Sequence, residues 1–153
     1  MGSSEPVLRA LEERDVEEVA RIEASVFSTP WKAFTFLKLL RGGETDLFVL
    51  DHPEDGIVGY AVLWCVRDQA ELANIAVVER WRGRGLGSRL LDAVVERARA
   101  RRVRSLFLEV RVSNRRASDM YAARGFEEIA RRRDYYDDPR EDARVLVKRL
   151  EGR

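Results

Sequence analysis

Two residue types that build many metal sites and catalytic triads are almost missing from this 153-residue chain, which has one cysteine and one histidine. The single cysteine, Cys65, excludes a disulfide within the chain, and its apolar neighbours predict a buried side chain. The histidine, His52, begins a turn-like His-Pro-Glu-Asp-Gly segment, so a zinc site or a histidine-centred triad would lack its usual parts. If the chain is an enzyme, its proton donors and acceptors are therefore carboxylates, tyrosines or water.

The chain also lacks an excess of charge of either sign and a long apolar run. Its 28 Lys and Arg residues balance 27 Asp and Glu residues, so the net charge of +1 does not favour a nucleic-acid, membrane or acidic partner. No run approaches the length of a membrane span, and the N-terminal residues lack the features of a signal peptide. These absences predict a cytoplasmic protein, and the length predicts a single domain over residues 1–153.

What the chain does contain is a glycine-rich segment, Arg82-Gly83-Arg84-Gly85-Leu86-Gly87-Ser88, followed by an amphipathic helical pattern. Glycines at alternate positions let the backbone turn tightly and bring its N–H groups close to an anion. A helix that begins at the end of the segment adds further unpaired N–H groups. The segment lacks the Gly-Lys-Ser/Thr of a P-loop, and a serine stands where the dinucleotide fingerprint needs its third glycine. It therefore predicts an anion site of another kind.

The hydrophobic pattern predicts an α+β fold. Alternation and turn residues predict strands at residues 7–11, 47–50, 57–66, 71–78, 105–111, 126–136 and 143–150. Helical spacing predicts helices at residues 15–27, 32–41, 86–102 and 114–124. Asp15 and Glu18 have the spacing of a capping box at the start of the first helix. This order predicts a mixed, mainly antiparallel central sheet of about seven strands with helices on both faces.

Two side chains stand where core residues are expected. Glu109 lies in the middle of the strand at 105–111, which falls between two helices and is expected inside the sheet. A buried carboxylate is costly unless it is paired or faces a wet cleft, so Glu109 is a structural partner of Arg111, a residue on an open sheet face, or a general base. Tyr121 shares a helix face with Asn114 and Ala117, and it is either a packing residue or a proton donor.

Together these motifs resemble the GNAT superfamily of acetyl-CoA-dependent N-acetyltransferases across nearly the whole chain. Within this superfamily, the chain resembles the branch of bacterial ribosomal-protein-alanine N-acetyltransferases, the RimI branch. The matching motifs are Pro30-Trp31, Asn74-Ile75-Ala76-Val77, Arg82-x-x-Gly85-x-Gly87, Leu108-Glu109-Val110-Arg111-x-Ser113-Asn114, Tyr121-x-x-x-Gly125-Phe126, and Tyr135-Tyr136 followed by Arg140-Glu141-Asp142-Ala143.

The resemblance implies a GNAT-type fold, acetyl-CoA as co-substrate and no metal. It implies that Glu109 is the general base and that Tyr121 is the general acid. The implied cofactor-binding residues are Ile75, Ala76, Val77, Arg82, Gly83, Arg84, Gly85, Leu86, Gly87, Ser88, Asn114 and Ala117. By their positions, Trp31, Tyr135 and Tyr136 are expected in the substrate groove.

The implied acceptor is the N-terminal segment of a protein, namely the alanine α-amine of a ribosomal protein, with no direct contact to nucleic acid or membrane. Two alternatives stay open, an acetyltransferase acting on lysine side chains or small amines, and a non-catalytic acetyl-CoA sensor. The arginine clusters at residues 97–104 and 131–133 are interleaved with acids or lack nearby pairs of stacking aromatics, so they are expected to be solvated surfaces rather than an RNA site.

Overall fold

The structure, a computed structural model, describes residues 4–150. Its strands are β1 (Val7–Ala10), β2 (Thr45–His52), β3 (Gly56–Val66), β4 (Gln69–Val77), β5 (Ser105–Arg111), β6 (Glu127–Tyr136) and β7 (Glu141–Arg149). Its α-helices are α1 (Val16–Val26), α2 (Ala33–Gly42), α3 (Leu86–Ala100) and α4 (Arg115–Ala123). The predicted elements are thus confirmed, with ends that differ by a few residues.

The seven strands form one sheet in the order β1-β2-β3-β4-β5-β7-β6. Neighbouring strands pair antiparallel except β4 and β5, which are parallel because α3 connects them by a crossover. The predicted α+β class, with a mainly antiparallel sheet, is confirmed, and β5 lies inside the sheet as expected.

Helices cover both faces of the sheet and enclose two hydrophobic cores. Leu90 of α3 and Tyr121 of α4 pack with Leu106 and Leu108 in one core, called the α3 core below. Val19 of α1 and Phe36 of α2 belong to the other core, called the α1 core below, and neither side chain has any exposed surface. None of the helices within residues 4–150 combines the length and apolarity needed to cross a bilayer.

A β-bulge changes the face to which β4 directs its side chains. Val62 of β3 pairs with Asn74 and Leu63 pairs with Leu72, so Ala73 is the extra residue. Before the bulge Leu72 packs in the α3 core, whereas after it Ala76 packs in the α1 core. An uninterrupted strand would have placed both on one face.

Two local predictions are corrected. The capping box forms one turn earlier than predicted, between Glu12 and Asp15, while Glu18 accepts a hydrogen bond from the backbone N–H of Ile57 at 3.1 Å. Cys65 is half-buried rather than buried, because it lies near the end of β3 between exposed neighbours.

The single histidine has a structural role. His52 is buried at the end of β2, and its Nδ1 accepts hydrogen bonds from the backbone N–H groups of Glu54 and Asp55 at 3.2 and 3.1 Å. Its ring lies 4.8 Å from that of Trp81. It therefore orders the β2–β3 turn.

Candidate active site

A gap opens in the sheet where β4 and β5 part. Their pairing begins at Gln69 and Ser105 and ends at Glu71 and Phe107, although both strands continue beyond that point. Past the last pair, β4 is bonded on its other side to β3, so alternate residues of β4 direct their backbone N–H and C=O groups into the gap. The predicted cofactor residues 75–77 line this stretch, which can bond an extended ligand as a neighbouring strand would.

The glycine-rich segment lies just beyond the end of β4 and leads into α3. Gly83 and Gly85 have φ values of 81° and 80°, in the left-handed region that favours glycine. Gly85 is the N-cap of α3, no side chain caps this end, and its first turn contains no acidic residue. The first N–H groups of α3 and the positive end of its dipole are thus available to an anion, and a Cβ at Gly85 would meet no heavy atom within 4 Å. This arrangement fits a pyrophosphate.

Two arginines of this segment are exposed beside the anion site. Arg82 donates a hydrogen bond from Nε to the backbone oxygen of Val77 at 2.9 Å, which joins the segment to the end of β4. The guanidinium of Arg84 lies 4.3 Å from the centre of the Trp81 ring, a cation–π distance. The side chain of Leu86 packs in the core, so only its backbone can contribute to this site.

Glu109 lies on β5 close to the gap, with its side chain 17% exposed and paired with Arg132 of β6 at 2.5 Å. The alternative of a Glu109–Arg111 pair is wrong, because Arg111 pairs with Glu141 at 3.2 Å. Leu108 and Val110, its neighbours along β5, pack in the α3 core, so Glu109 faces away from that core. A carboxylate in this position is both partly wet and oriented by one cation.

A second carboxylate, Glu71, stands beside Glu109. Glu71 is opposite Phe107 in the last β4–β5 pair, and Glu109 is two residues farther along the same face. Burial and the nearby charge of Glu109 raise the pKa of Glu71, whereas Arg132 lowers it. A hydrogen bond to Glu109, together with burial, likewise raises the pKa of Tyr135. No group of three or more His, Cys, Asp or Glu residues suited to a metal ion occurs within residues 4–150.

Tyr136 lies near both Glu109 and Tyr121. Burial, and then the charge of Glu109, raise the pKa of Tyr136 to about 12. Tyr121 is 4% exposed, and burial followed by the nearby Tyr136 raises its pKa as well. Its ring packs at 5.6 Å against Phe126. Both phenols are thus held in the protonated, hydrogen-bond-donating form.

Asn114 is the N-cap of α4, and its side-chain oxygen accepts a hydrogen bond from the N–H of Ala117 at 3.2 Å. This contact occupies the oxygen and leaves the amide NH2 group for another partner. Ala117 is half-buried and packs against the α3 core. Both residues therefore lie at the N-terminal end of α4.

The α1–α2 connection and the β6–β7 turn lie against each other, and Ser28 Oγ donates a hydrogen bond to the backbone oxygen of Asp137 at 3.3 Å. Arg111 donates to the backbone oxygens of Pro139 and Asp137 at 2.9 and 3.2 Å, and to Ser28 Oγ at 3.3 Å. Its guanidinium also lies 4.4 Å from the centre of the Tyr136 ring. Arg111 lies on the same strand as Glu109, and it joins the α1–α2 connection to the β6–β7 turn.

The residues predicted for the substrate groove, Trp31, Tyr135 and Tyr136, lie on or next to these two segments. Trp31 is half-buried in the α1–α2 connection, 5.4 Å from the ring of Phe36. Tyr135 is 45% exposed and packs edge-on against Tyr136 at 5.0 Å. Tyr135 thus lies beside Glu109, whereas Trp31 packs against the core formed with α1 and α2.

This geometry agrees with a family profile. The profile of the Acetyltransferase (GNAT) family matches residues 10–126 of the chain. The chain belongs to the GNAT acetyltransferases. It is an acetyl-CoA-dependent N-acetyltransferase, and the predicted resemblance is confirmed.

Similar proteins support the same conclusion over nearly the whole acetyltransferase. The [ribosomal protein bS18]-alanine N-acetyltransferase of Escherichia coli K12 is 35% identical over 142 residues, covering 92% of this chain and 95% of its own. The crystal structure of the E. coli ribosomal-protein-S18-alanine N-acetyltransferase has a TM-score of 0.85 at 34% identity, with 94% and 93% covered. Arabidopsis thaliana NAA60 in complex with acetyl-CoA, at 20% identity, shares the fold with a TM-score of 0.84 and coverage of 95% and 99%.

Sequence reasoning missed two charged side chains that lie close to Glu109, namely Glu71 and Arg132. Glu71 follows an alternating strand pattern and becomes notable only when β4 is paired with β5. Arg132 was expected to be part of a solvated edge, and its neighbours in sequence carry no sign that it reaches over β7 to Glu109. An isolated acidic residue on a strand that precedes a glycine-rich loop is the one local signal that could have identified Glu71.

Proposed function

We propose that this enzyme acetylates the α-amine of an N-terminal alanine on a ribosomal protein, as the names of its relatives in E. coli state for those proteins. The observation that carries the chemistry is the position of Glu109, which is partly exposed beside the β4–β5 gap. The α1–α2 connection and the β6–β7 turn would border the groove that takes the end of the acceptor chain. A ribosomal acceptor would also place the reaction in the cytoplasm.

Acetyl-CoA would be held at two places. Residues 82–88 would bind its pyrophosphate through backbone N–H groups, as the uncapped start of α3 allows. The backbone of residues 75–77 would bond the two amides of its pantetheine arm, and the amide NH2 of Asn114 would add a donor beside Ala117. When bound, the thioester supplies an activated acetyl group.

The acceptor amine must lose a proton before or during attack. An α-amino group has a pKa of about 8, so most of it is protonated at pH 7. Glu109 would accept that proton, directly or through water, while Glu71 adds negative charge that attracts the ammonium form. One pKa unit corresponds to about 1.4 kcal/mol, so we expect the larger gain to come from holding amine and thioester in line.

Tyr121 would donate a hydrogen bond to the leaving sulfur. Its raised pKa means that full proton transfer to a thiolate, whose pKa is about 8.5, is uphill. A hydrogen bond stabilises the developing charge without that transfer. Trp31, Tyr135 and Tyr136 would contact the first residues of the acceptor.

The test is to incubate the enzyme with acetyl-CoA and a panel of acceptors, and to locate the acetyl group by mass spectrometry. The panel contains peptides that differ in their first residues, Nα-blocked lysine peptides and polyamines. We expect acetylation of a free N-terminal alanine and a large rate loss in Glu109→Gln that shrinks at high pH, where the amine is already deprotonated.

Three outcomes would contradict the proposal. Acetylation of lysine side chains or polyamines alone would favour the alternative acceptors. Tight acetyl-CoA binding without turnover would favour a sensor. An unchanged pH profile in Glu109→Gln would remove Glu109 as the base, whichever acceptor is used.

A further inference from the structure

A carboxylate buried beneath α1 has no part in the roles described so far. Glu23 of α1 is 1% exposed and lies among the side chains of the α1 core. Within residues 4–150 it forms no ion pair with a lysine or arginine. All its contacts are neutral donors, so this charge has been removed from water without a cation beside it.

Four hydrogen bonds from three parts of the chain converge on this carboxylate. The backbone N–H of Trp31 donates to Oε2 at 3.0 Å. The amide of Asn74 donates to Oε1 and Oε2 at 2.8 and 2.9 Å. The hydroxyl of Tyr60 in β3 donates to Oε1, and burial together with the charge of Glu23 raises the pKa of Tyr60.

Two of these donors lie on the segments that are proposed to hold the two substrates. Asn74 directly follows the bulge at Ala73 and begins the stretch of β4 that borders the gap. Trp31 belongs to the connection that borders the acceptor groove, and its ring packs against Phe36. One carboxylate thus fixes the cofactor strand and the acceptor border with respect to each other.

Stability alone does not account for a charge at this place. Buried ionic groups are often no more stabilising than apolar residues of similar size, whereas their bonds define one geometry. Direct acyl transfer depends strongly on the alignment of amine and thioester. We infer that Glu23 is a positioning residue, which sets the distance between the acceptor groove and the cofactor strand through Trp31 and Asn74. This inference rests on the proposed acetyl transfer.

The test compares Glu23→Leu and Glu23→Gln with Tyr60→Phe as the matched control, because Tyr60→Phe removes a donor from the same carboxylate without cutting either connection. For each variant we would measure kcat/KM for the peptide at saturating acetyl-CoA, the acetyl-CoA Kd by calorimetry, and the 19F spectrum of protein labelled with 5-fluorotryptophan. The chain has three tryptophans, and Trp31→Phe assigns the resonance of interest.

For Glu23→Leu we expect kcat/KM to fall at least tenfold, the acetyl-CoA Kd to stay within threefold, and the Trp31 resonance to shift or broaden. Tyr60→Phe should keep kcat/KM within threefold and leave that resonance in place. If Glu23→Leu does not fold, Glu23→Gln decides, since it keeps the shape and loses one acceptor atom; we expect a smaller loss and the same spectral change.

Folded Glu23 variants with wild-type kcat/KM and an unchanged Trp31 resonance would overturn the inference. A loss matched by an equal rise in the acetyl-CoA Kd would also overturn it, because that indicates general disruption. The calorimetry and the 19F spectrum need no acceptor. A wild-type enzyme that acetylates no α-amine would therefore refute the proposed function, while the Trp31 resonance still tests Glu23.

Discussion

At the scale of single residues, the ion pair with Arg132 partly neutralises the negative charge of Glu109. Arg132 is 60% exposed and comes from the edge strand β6, whereas Glu109 is 17% exposed. A partly exposed guanidinium can move aside when a cationic amine arrives and takes its place beside the carboxylates. The pair therefore offsets part of the negative charge of the carboxylates until an acceptor binds.

Replacing Arg132 by glutamine should move the acidic limb of the kcat/KM profile to higher pH. Arg132 lowers the pKa of Glu71, which burial and Glu109 raise, so its loss makes protonation easier. We expect a shift to higher pH, measured by steady-state kinetics between pH 5 and 9. Arg133→Gln, at the exposed next position, is the control and should leave the limb in place. A shift to lower pH would contradict the assignment.

Tyr121→Phe should lower kcat with acetyl-CoA saturating. Hydrogen bonds to charged groups contribute about 1.5–3 kcal/mol, which corresponds to a loss of roughly 10- to 100-fold. The phenylalanine keeps the ring contact with Phe126, so the Tm should change little. Wild-type kcat in the folded variant would mean that Tyr121 only packs.

Individual side chains also show where sequence reasoning reaches its limit. Glu109 and Tyr121 were predicted because each departs from a local pattern. Glu71 and Arg132 depart from none, and only the register of distant strands brings them to Glu109. Glu23 lies within the first predicted helix, where nothing in its sequence neighbourhood reveals the donors of β3 and β4.

At the scale of elements, local patterns were sufficient for nearly every helix and strand. Gly43, with φ of 77°, ends α2, and Gly125, with φ of 88°, follows α4, close to the predicted helix ends at residues 41 and 124. The bulge at Ala73 was not predictable, because it depends on how β4 aligns with β3. The early capping box was missed because Glu12 precedes the first predicted helix, which was expected to begin at Asp15.

The glycine-rich segment gives a prediction that belongs to this scale. Gly85→Glu should raise the KM for acetyl-CoA more than tenfold and change the peptide KM little, because it places a negative charge at the anion site. Gly43→Glu is a matched control, since Gly43 has a similar φ and equally open surroundings. Both variants carry a backbone strain of about 1–2 kcal/mol. If only the peptide KM rose in Gly85→Glu, the pyrophosphate assignment would fail.

At the scale of the whole molecule, the N-terminal edge of the sheet depends on one cluster of charges. Arg9 of β1 donates to buried Asp15 at 2.7 and 3.0 Å and to Asp51 of β2 at 2.9 Å. The backbone N–H of Glu12 adds a bond to Asp15 at 2.8 Å. These contacts connect β1, β2 and the start of α1.

This cluster should make the free energy of unfolding depend on pH. The hydrogen bonds from Arg9 lower the pKa of Asp15 below its usual value near 3.8, so its stabilising effect is complete above that value and is lost as the pH falls through the lower, folded-state pKa. Asp15→Asn should cost about 1–3 kcal/mol at pH 7 and have a weaker acid dependence than the wild type. Urea unfolding at pH 7 and pH 3 measures both; parallel acid dependences would contradict this role.

The parting of β4 and β5 has a consequence for the protein without its co-substrate. The two strands present free edges in the interior of the sheet, where other proteins have continuous hydrogen bonding. The same unpaired backbone groups that would bond a ligand can also bond an extended segment of a neighbouring chain. Acetyl-CoA would then serve as a removable strand, so its concentration in the cell would govern resistance to aggregation as well as the rate of acetylation.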